Sequence, residues 1–200
     1  AMEAGKIADY WGSLPGHTLK AADGEQAYCQ ARLKGKKTWI RIPYERWPQE
    51  WKDRGMVDPV VPLRKALYGH PDSGGFWEKH CEEKMATIGF KPVGECFEWR
   101  SCFWNPTTKV LLIIYVDDFK MAGTPESVAQ AWKDIRDVDV EEDDGVKVKA
   151  IILGHHTGVD NFLGCAHQKA SDWVCAASIL NSMARDIDSV SFRTTALLMI

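Results

Sequence analysis

Apolar residues along this chain recur with two periods. Val110 to Val116 (VLLIIYV) is apolar at every position but the tyrosine, which predicts a strand buried on both faces. Phe119 to Ala122 predicts the next strand. Only Asp117 and Asp118 separate the two, the length of a tight hairpin loop. His17 to Asp23 predicts a short strand stopped at Gly24, and Trp39 to Ile42 an alternating one stopped at Pro43. RGMVDPVVP, residues 54–62, reads as a loop broken by Gly55, Pro59 and Pro62. Cys96 to Asn105 predicts a strand with a turn after it.

Helical spacing appears in two places. Phe76, Trp77, His80, Cys81, Met85 and Ile88 share a face, with Gly89 as the stop. Val128, Ala131, Trp132 and Ile135 form a second stripe, preceded by Thr124 as a cap and Pro125 at the first helical position. Beyond it, residues 146–154 (VKVKAIILG) alternate and then turn apolar, as a strand entering the core would. A turn at His155 and His156 then leads to a short strand, NFLGC. Ile179 to Ile187 could form one more helix. This order of elements implies an α+β fold, with helices packed on one face of a mostly antiparallel sheet.

Composition narrows the picture only a little. At 45% hydrophobic and 26% charged, with nine tryptophans, 200 residues can bury a sizeable core. The net charge of −3 gives no global basic signature, so a nucleic-acid partner would have to be held by a local patch. No apolar run reaches the ~18 residues of a membrane span. No secretory leader pattern opens the chain, so an intracellular setting is expected. None of the six cysteines forms a C-x-x-C pair, so reduced thiols are expected. The spacing of Cys165, His167 and Cys175 matches no common zinc pattern.

The chemistry gathers at Asp117 and Asp118. Two carboxylates ending a strand that is apolar on both faces sit at the rim of a core. Their repulsion is poorly screened there and asks for a cation. Hard oxygen ligands favour Mg²⁺. Asp23 also ends a strand, followed by Gly24, and is the best third carboxylate. If the two strands are neighbours, three carboxylates converge at one sheet edge, an arrangement suited to two-metal phosphoryl or nucleotidyl transfer.

Four blocks in this order resemble the reverse transcriptase domain of copia-type LTR retrotransposons, over about Leu19 to Cys165. AADGEQAYCQARL resembles the first catalytic block, with Asp23 four residues ahead of Ala27 and Tyr28. VPLRKALYG, with Trp77 downstream, resembles the Leu-x-Lys-Ala-Leu-Tyr-Gly block. IIYVDDFKMAG resembles the Tyr-Val-Asp-Asp box, and NFLGC the Phe-Leu-Gly hairpin. The resemblance implies a polymerase palm and an RNA-directed DNA polymerase. Asp23, Asp117 and Asp118 would be catalytic and would hold two Mg²⁺ ions (or Mn²⁺). Ala27, Tyr28, Asp72 and Tyr115 would lie at the nucleotide, with Tyr28 rejecting a 2′-hydroxyl. Phe162, Leu163 and Gly164 would be the primer grip. The implied partners are an RNA/DNA primer-template, dNTP and the rest of a Pol polyprotein (integrase, RNase H). The implied location is a cytoplasmic particle or the nucleus, with no membrane.

On this reading residues 17–165 are the palm with part of the fingers. Residues 1–16 are a fingers remnant or linker, and 166–200 a tail or the start of a thumb. The chain departs from the family after ALYG. Asp72 stands where the family has Gln, and Pro71 and Gly75 stand where it has Lys and Arg. A carboxylate facing a triphosphate is unfavourable unless it points away. These departures suit the alternative of a decayed, non-catalytic palm remnant. Arg32, Lys34, Lys36, Lys37, Arg41, Arg64 and Lys65 could meet phosphates. Trp39, Trp47 and Trp51 fit loop packing better than base stacking.

Overall fold

The computed structural model describes residues 2–93, 101–141 and 147–158. In chain order the elements are α1 (Met2–Ser13), β1 (Thr18–Gly24), α2 (Ala27–Gln30), β2 (Trp39–Arg41), a 3₁₀ turn (Tyr44–Arg46), α3 (Gln49–Asp53), β3 (Val60–Pro62) and α4 (Ser73–Thr87). Then come β4 (Lys91–Pro92), β5 (Cys102–Asn105), β6 (Val110–Tyr115), β7 (Asp118–Gly123), α5 (Pro125–Asp137), β8 (Asp139–Glu141), β9 (Lys147–Lys149) and β10 (Leu153–Gly158). Six strands form one antiparallel sheet in the order β10-β1-β7-β6-β5-β4. The fold is therefore α+β. No helix among the described residues is long and apolar enough to cross a membrane.

The sheet is covered on both faces, not one. On one side Leu112, Ile114, Phe119 and Met121 pack with Trp77, Cys81 and Met85 of α4 and with Val128, Ala131, Trp132 and Ile135 of α5. On the other, Leu111, Ile113 and Ala122 pack with Ala4, Ile7, Ala8 and Trp11 of α1. Alternate residues of β6 thus enter opposite cores, and this is why VLLIIY carries no polar face. The expectation of helices on one face fails because residues 1–16, read as a remnant or linker, contain α1. Trp11 is buried, sits edge-on to Trp104 at 5.8 Å and donates its indole N–H to the Lys109 carbonyl. Lys120, on the same sheet face, pairs with Asp9 of α1 at 2.6 Å.

The two long helices start and stop as their sequences demand. Thr124 Oγ1 accepts the Ser127 N–H at the head of α5. At the end of α4 the chain turns at Gly89 (φ +86°), and the Phe90 N–H reaches back to the Met85 carbonyl. Three other expectations change. Val60–Pro62, inside the predicted loop, is a strand paired with Trp39–Arg41, because the two ends of the excursion close on each other. His155 and His156 lie inside β10 rather than in a turn, because β1 supplies their ladder, with Ala22 opposite His156. Of the predicted Cys96–Asn105 strand, Cys102–Asn105 is a strand, whereas Ser101 is a turn residue with φ +64°; residues 96–100 lie outside the described ones. The NFLGC strand, the helix near Ile179 and the segment from 166 onward lie outside the described residues.

Smaller features follow the same physics. Trp47 packs edge-on to Tyr44 at 4.9 Å and to Trp51 at 6.4 Å, and its N–H is held by the Ile42 carbonyl, so Trp47 and Trp51 act in loop packing. Cys29, Cys81 and Cys102 are free thiols, and burial pushes Cys102 up to about 11, which makes it inert at neutral pH.

If α1 is a structural layer, removing its anchor must cost a core residue's worth of stability. Trp11→Ala is expected to lower unfolding free energy by ~3–5 kcal/mol in urea denaturation. A loss under ~0.5 kcal/mol would show that α1 is an appendage.

Candidate metal centre

Antiparallel pairing builds the acid cluster. In the β1–β7 register Asp23 lies opposite Asp118, and in the β6–β7 register Tyr115 lies opposite Asp118. Directly opposed residues share a face. Asp23, Asp118 and Tyr115 therefore project on the α1 side, at the end of the sheet beyond Lys120. Asp117 joins them from the hairpin turn. One carboxylate oxygen from each of Asp23, Asp117 and Asp118 lies within 4.8 Å of the other two. Asp117 is half-buried and the other two are exposed.

The electrostatics fit a cluster of like charges. Partial burial raises the Asp118 pKa above the ordinary carboxylate value, and the Asp117 and Asp23 charges push it the same way. Three hard oxygen donors at this spacing could hold a divalent cation, which would relieve the repulsion. Exposed acidic groups are nonetheless common without one.

The hairpin differs from its expected form by one residue. β6 ends at Tyr115 and β7 begins at Asp118, so the turn is Val116-Asp117 rather than Asp117-Asp118. Val116 has φ +57°, the sign that primed hairpin turns require at their first loop residue and that a β-branched side chain resists. A residue held there costs on the order of 1–3 kcal/mol unless its surroundings enforce it. The enforcing group is Trp77 of α4, fully buried, whose indole N–H donates to the Val116 carbonyl and whose ring meets Phe119 edge-on. From β1, the Gly24 N–H donates to the Asp117 carbonyl at 2.6 Å. A Cβ on Gly24 would lie 3.2 Å from that same oxygen and from the Phe119 ring. At Gly24 the hairpin backbone thus approaches β1 closely. On the other edge of β1 the pairing with β10 shifts register between Ala22 and Gly24, so an irregularity flanks Asp23.

Of the remaining predicted residues, Ala27, Tyr28, Asp72 and Tyr115 are among those described. Tyr28 of α2 is half-buried, and its ring lies 4.6 Å from the Tyr68 ring at 34°. Its hydroxyl rests over the start of α4, where Gly74 leaves room. The exposed Tyr68 has its phenol pKa raised, first by desolvation and then by the Asp117 charge. In the sequence Tyr68 stands out only as part of the VPLRKALYG block. Its partnership with Tyr28 had no local signal. Ser73, fully buried, ties that block to α4: its hydroxyl donates to the Leu67 carbonyl and accepts the Leu67 N–H.

Ala27 is fully buried and packs α2 on the core, so it offers no surface to a nucleotide. Asp72 is exposed at the N-cap of α4, with no side-chain capping bond. Its N–H donates to His70 Nδ1, so the altered HPD segment folds into a local turn. Tyr115 is exposed beside Asp118. Phe162, Leu163 and Gly164 lie outside the described residues.

A strained valine held by its neighbours predicts an unusual sign. Val116→Gly is expected to leave stability unchanged or raise it by about 1 kcal/mol in thermal or urea unfolding. A loss of 1 kcal/mol or more would contradict the strained turn.

No family model matches the chain, and no curated protein matches it. The case for what the acids do therefore rests on their geometry and on the order of the sequence blocks.

Proposed function

We propose that this chain is a reverse transcriptase palm of the copia type. Its Asp23, Asp117 and Asp118 serve RNA-directed DNA synthesis from dNTP onto a primer 3′-hydroxyl. The observation that carries the reading is the convergence of these three carboxylates. They come from two strands separated by nearly half the chain, and they are the three residues that the sequence blocks single out. An α+β sheet with the acids at one end is compatible with a palm.

Each residue has a defined part in this reading. The carboxylates hold the cations; the β1–β7 ladder and the Gly24 N–H fix their spacing; Trp77 and Phe119 hold the turn rigid. Tyr28, propped by Tyr68, would present a flat ring beside the sugar. Bound Mg²⁺ would lower the pKa of the attacking hydroxyl and neutralise charge on the phosphates. Rim placement suits this chemistry, because substrate phosphates can complete a Mg²⁺ shell that the protein leaves open.

One observation favours a second reading, a palm remnant without catalysis. Where the family carries Lys, Gln and Arg, this chain has Pro71, Asp72 and Gly75, so two cations are absent and one carboxylate is added at the head of α4. Primer extension on poly-rA/oligo-dT with Mg²⁺ separates the two. The polymerase reading expects incorporation that falls at least ~100-fold in Asp117→Ala. Absence of incorporation in the wild type would leave the remnant.

A further inference from the structure

A basic groove lies away from the acids. One wall is Arg32, Lys34 and Lys65, brought together by the antiparallel bridge between Arg32 and Lys65. The other wall is α4, which contributes Lys79 and Lys84. Glu83 is the one carboxylate among the described lining residues. Five cations against one anion is a local reversal in a chain whose net charge is −3.

The groove belongs to a different layer from the acids. Trp77, Cys81 and Met85 fix α4 on the face of the sheet opposite α1, whereas Asp23 and Asp118 project on the α1 face. Phe76 and His80 form its floor, both half-buried. The ring of His80 is locked by its contact with the Ala150 carbonyl at 2.6 Å, and Gln30 is pinned at both ends of its amide by Ile152. The groove is therefore braced at His80 and at Gln30. Burial pushes the His80 pKa down, and the Lys84 and Lys65 charges push it the same way, as expected where cations crowd together. Lys34, Lys79 and Lys84 make no ion pair among the described residues.

We propose that this groove binds the sugar–phosphate backbone of a single nucleic-acid strand, away from the acid cluster. Three features favour a strand over a small anion. The groove is open and holds about 140 Å³, below the roughly 300–1,000 Å³ of pockets that enclose small ligands. From Phe76 to Lys84 the α4 wall is about 12 Å long at 1.5 Å per residue, long enough for neighbouring phosphates of an extended strand to lie along it. An aromatic ring beside a cationic track is the usual recipe for sequence-tolerant single-strand binding, with the ring stacking a base. The chemistry is shared by RNA and DNA.

Fluorescence anisotropy with 12-nucleotide oligo(rU) and oligo(dT), in EDTA and at 50–200 mM salt, tests the proposal. EDTA takes the acid cluster's cations out of play, so failure of the polymerase reading leaves this test intact. Wild-type protein is expected to bind with a log K against log[salt] slope of about −3. Lys34→Gln with Lys79→Gln and Lys84→Gln should weaken binding at least ~10-fold at low salt and make the slope shallower by about 2. A matched triple at Lys20, Lys91 and Lys133, also to Gln, should change affinity less than about 3-fold. Lys79→Gln with Lys84→Gln carries the same test if the groove triple melts early. Equal losses in the two triples would overturn the proposal, as bulk charge. So would undiminished binding in the groove variant, or displacement of the oligomer by tripolyphosphate at equal phosphate concentration.

Discussion

The register between β1 and β7 is the constraint on which the acid end of the molecule depends. Side chains alternate across a strand, so sliding β1 by one residue would send Asp23 to the α4 face and leave Asp117 and Asp118 alone. The register is fixed from both sides. Leu19 must meet the α1 layer while Ala22 meets Trp77 and its neighbours, so a slip would bury the wrong residues on both faces at once. At the end of the ladder the Gly24 N–H locks onto the Asp117 carbonyl. Three like charges are thereby held within 4.8 Å by forces that have nothing to do with their mutual repulsion.

Rigidity at that end comes from burial behind the charges. The hairpin carrying Asp117 is short, bent through a left-handed valine and exposed on its outer side. What holds it is the indole of Trp77 beneath it and the Phe119 ring beside it. The acids can be near water without being loose. The same helix that supplies Trp77 turns its next face, Lys79 and Lys84, into the basic groove. One element thus serves the core, the turn and a cationic surface within about two turns.

Much of this was legible where period and punctuation agree. The paired strands around the two aspartates, the capped α5 and the Asp23 partnership all follow from local patterns with a physical meaning. The failures are equally physical. α1 carries the spacing Ala4, Ile7, Ala8, Trp11, which is helical, but Gly5 and Gly12 dilute the propensity and two of its four core residues are alanines. The fully apolar β6 already demanded a second cover, and that demand was not connected to the N-terminal segment. The turn shifted by one residue because nothing in a valine advertises a positive φ; only the Trp77 contact, 39 residues away, enforces it. β10 was hidden because two histidines beside a glycine look like a turn until β1 pairs with them. The Tyr28–Tyr68 pair depends on tertiary proximity that no window of sequence contains.

The central claim is that the three carboxylates form one divalent-cation site. Titration with Mn²⁺ followed by the EPR signal of the free ion measures it directly, without primer, template or nucleotide. One or two Mn²⁺ ions should be taken up per chain at or below millimolar concentration, and Asp23→Asn, distant in sequence from the hairpin, should weaken that uptake at least ~10-fold. No uptake at millimolar Mn²⁺, or equal uptake in wild type and Asp23→Asn, would contradict a site shared between β1 and the hairpin.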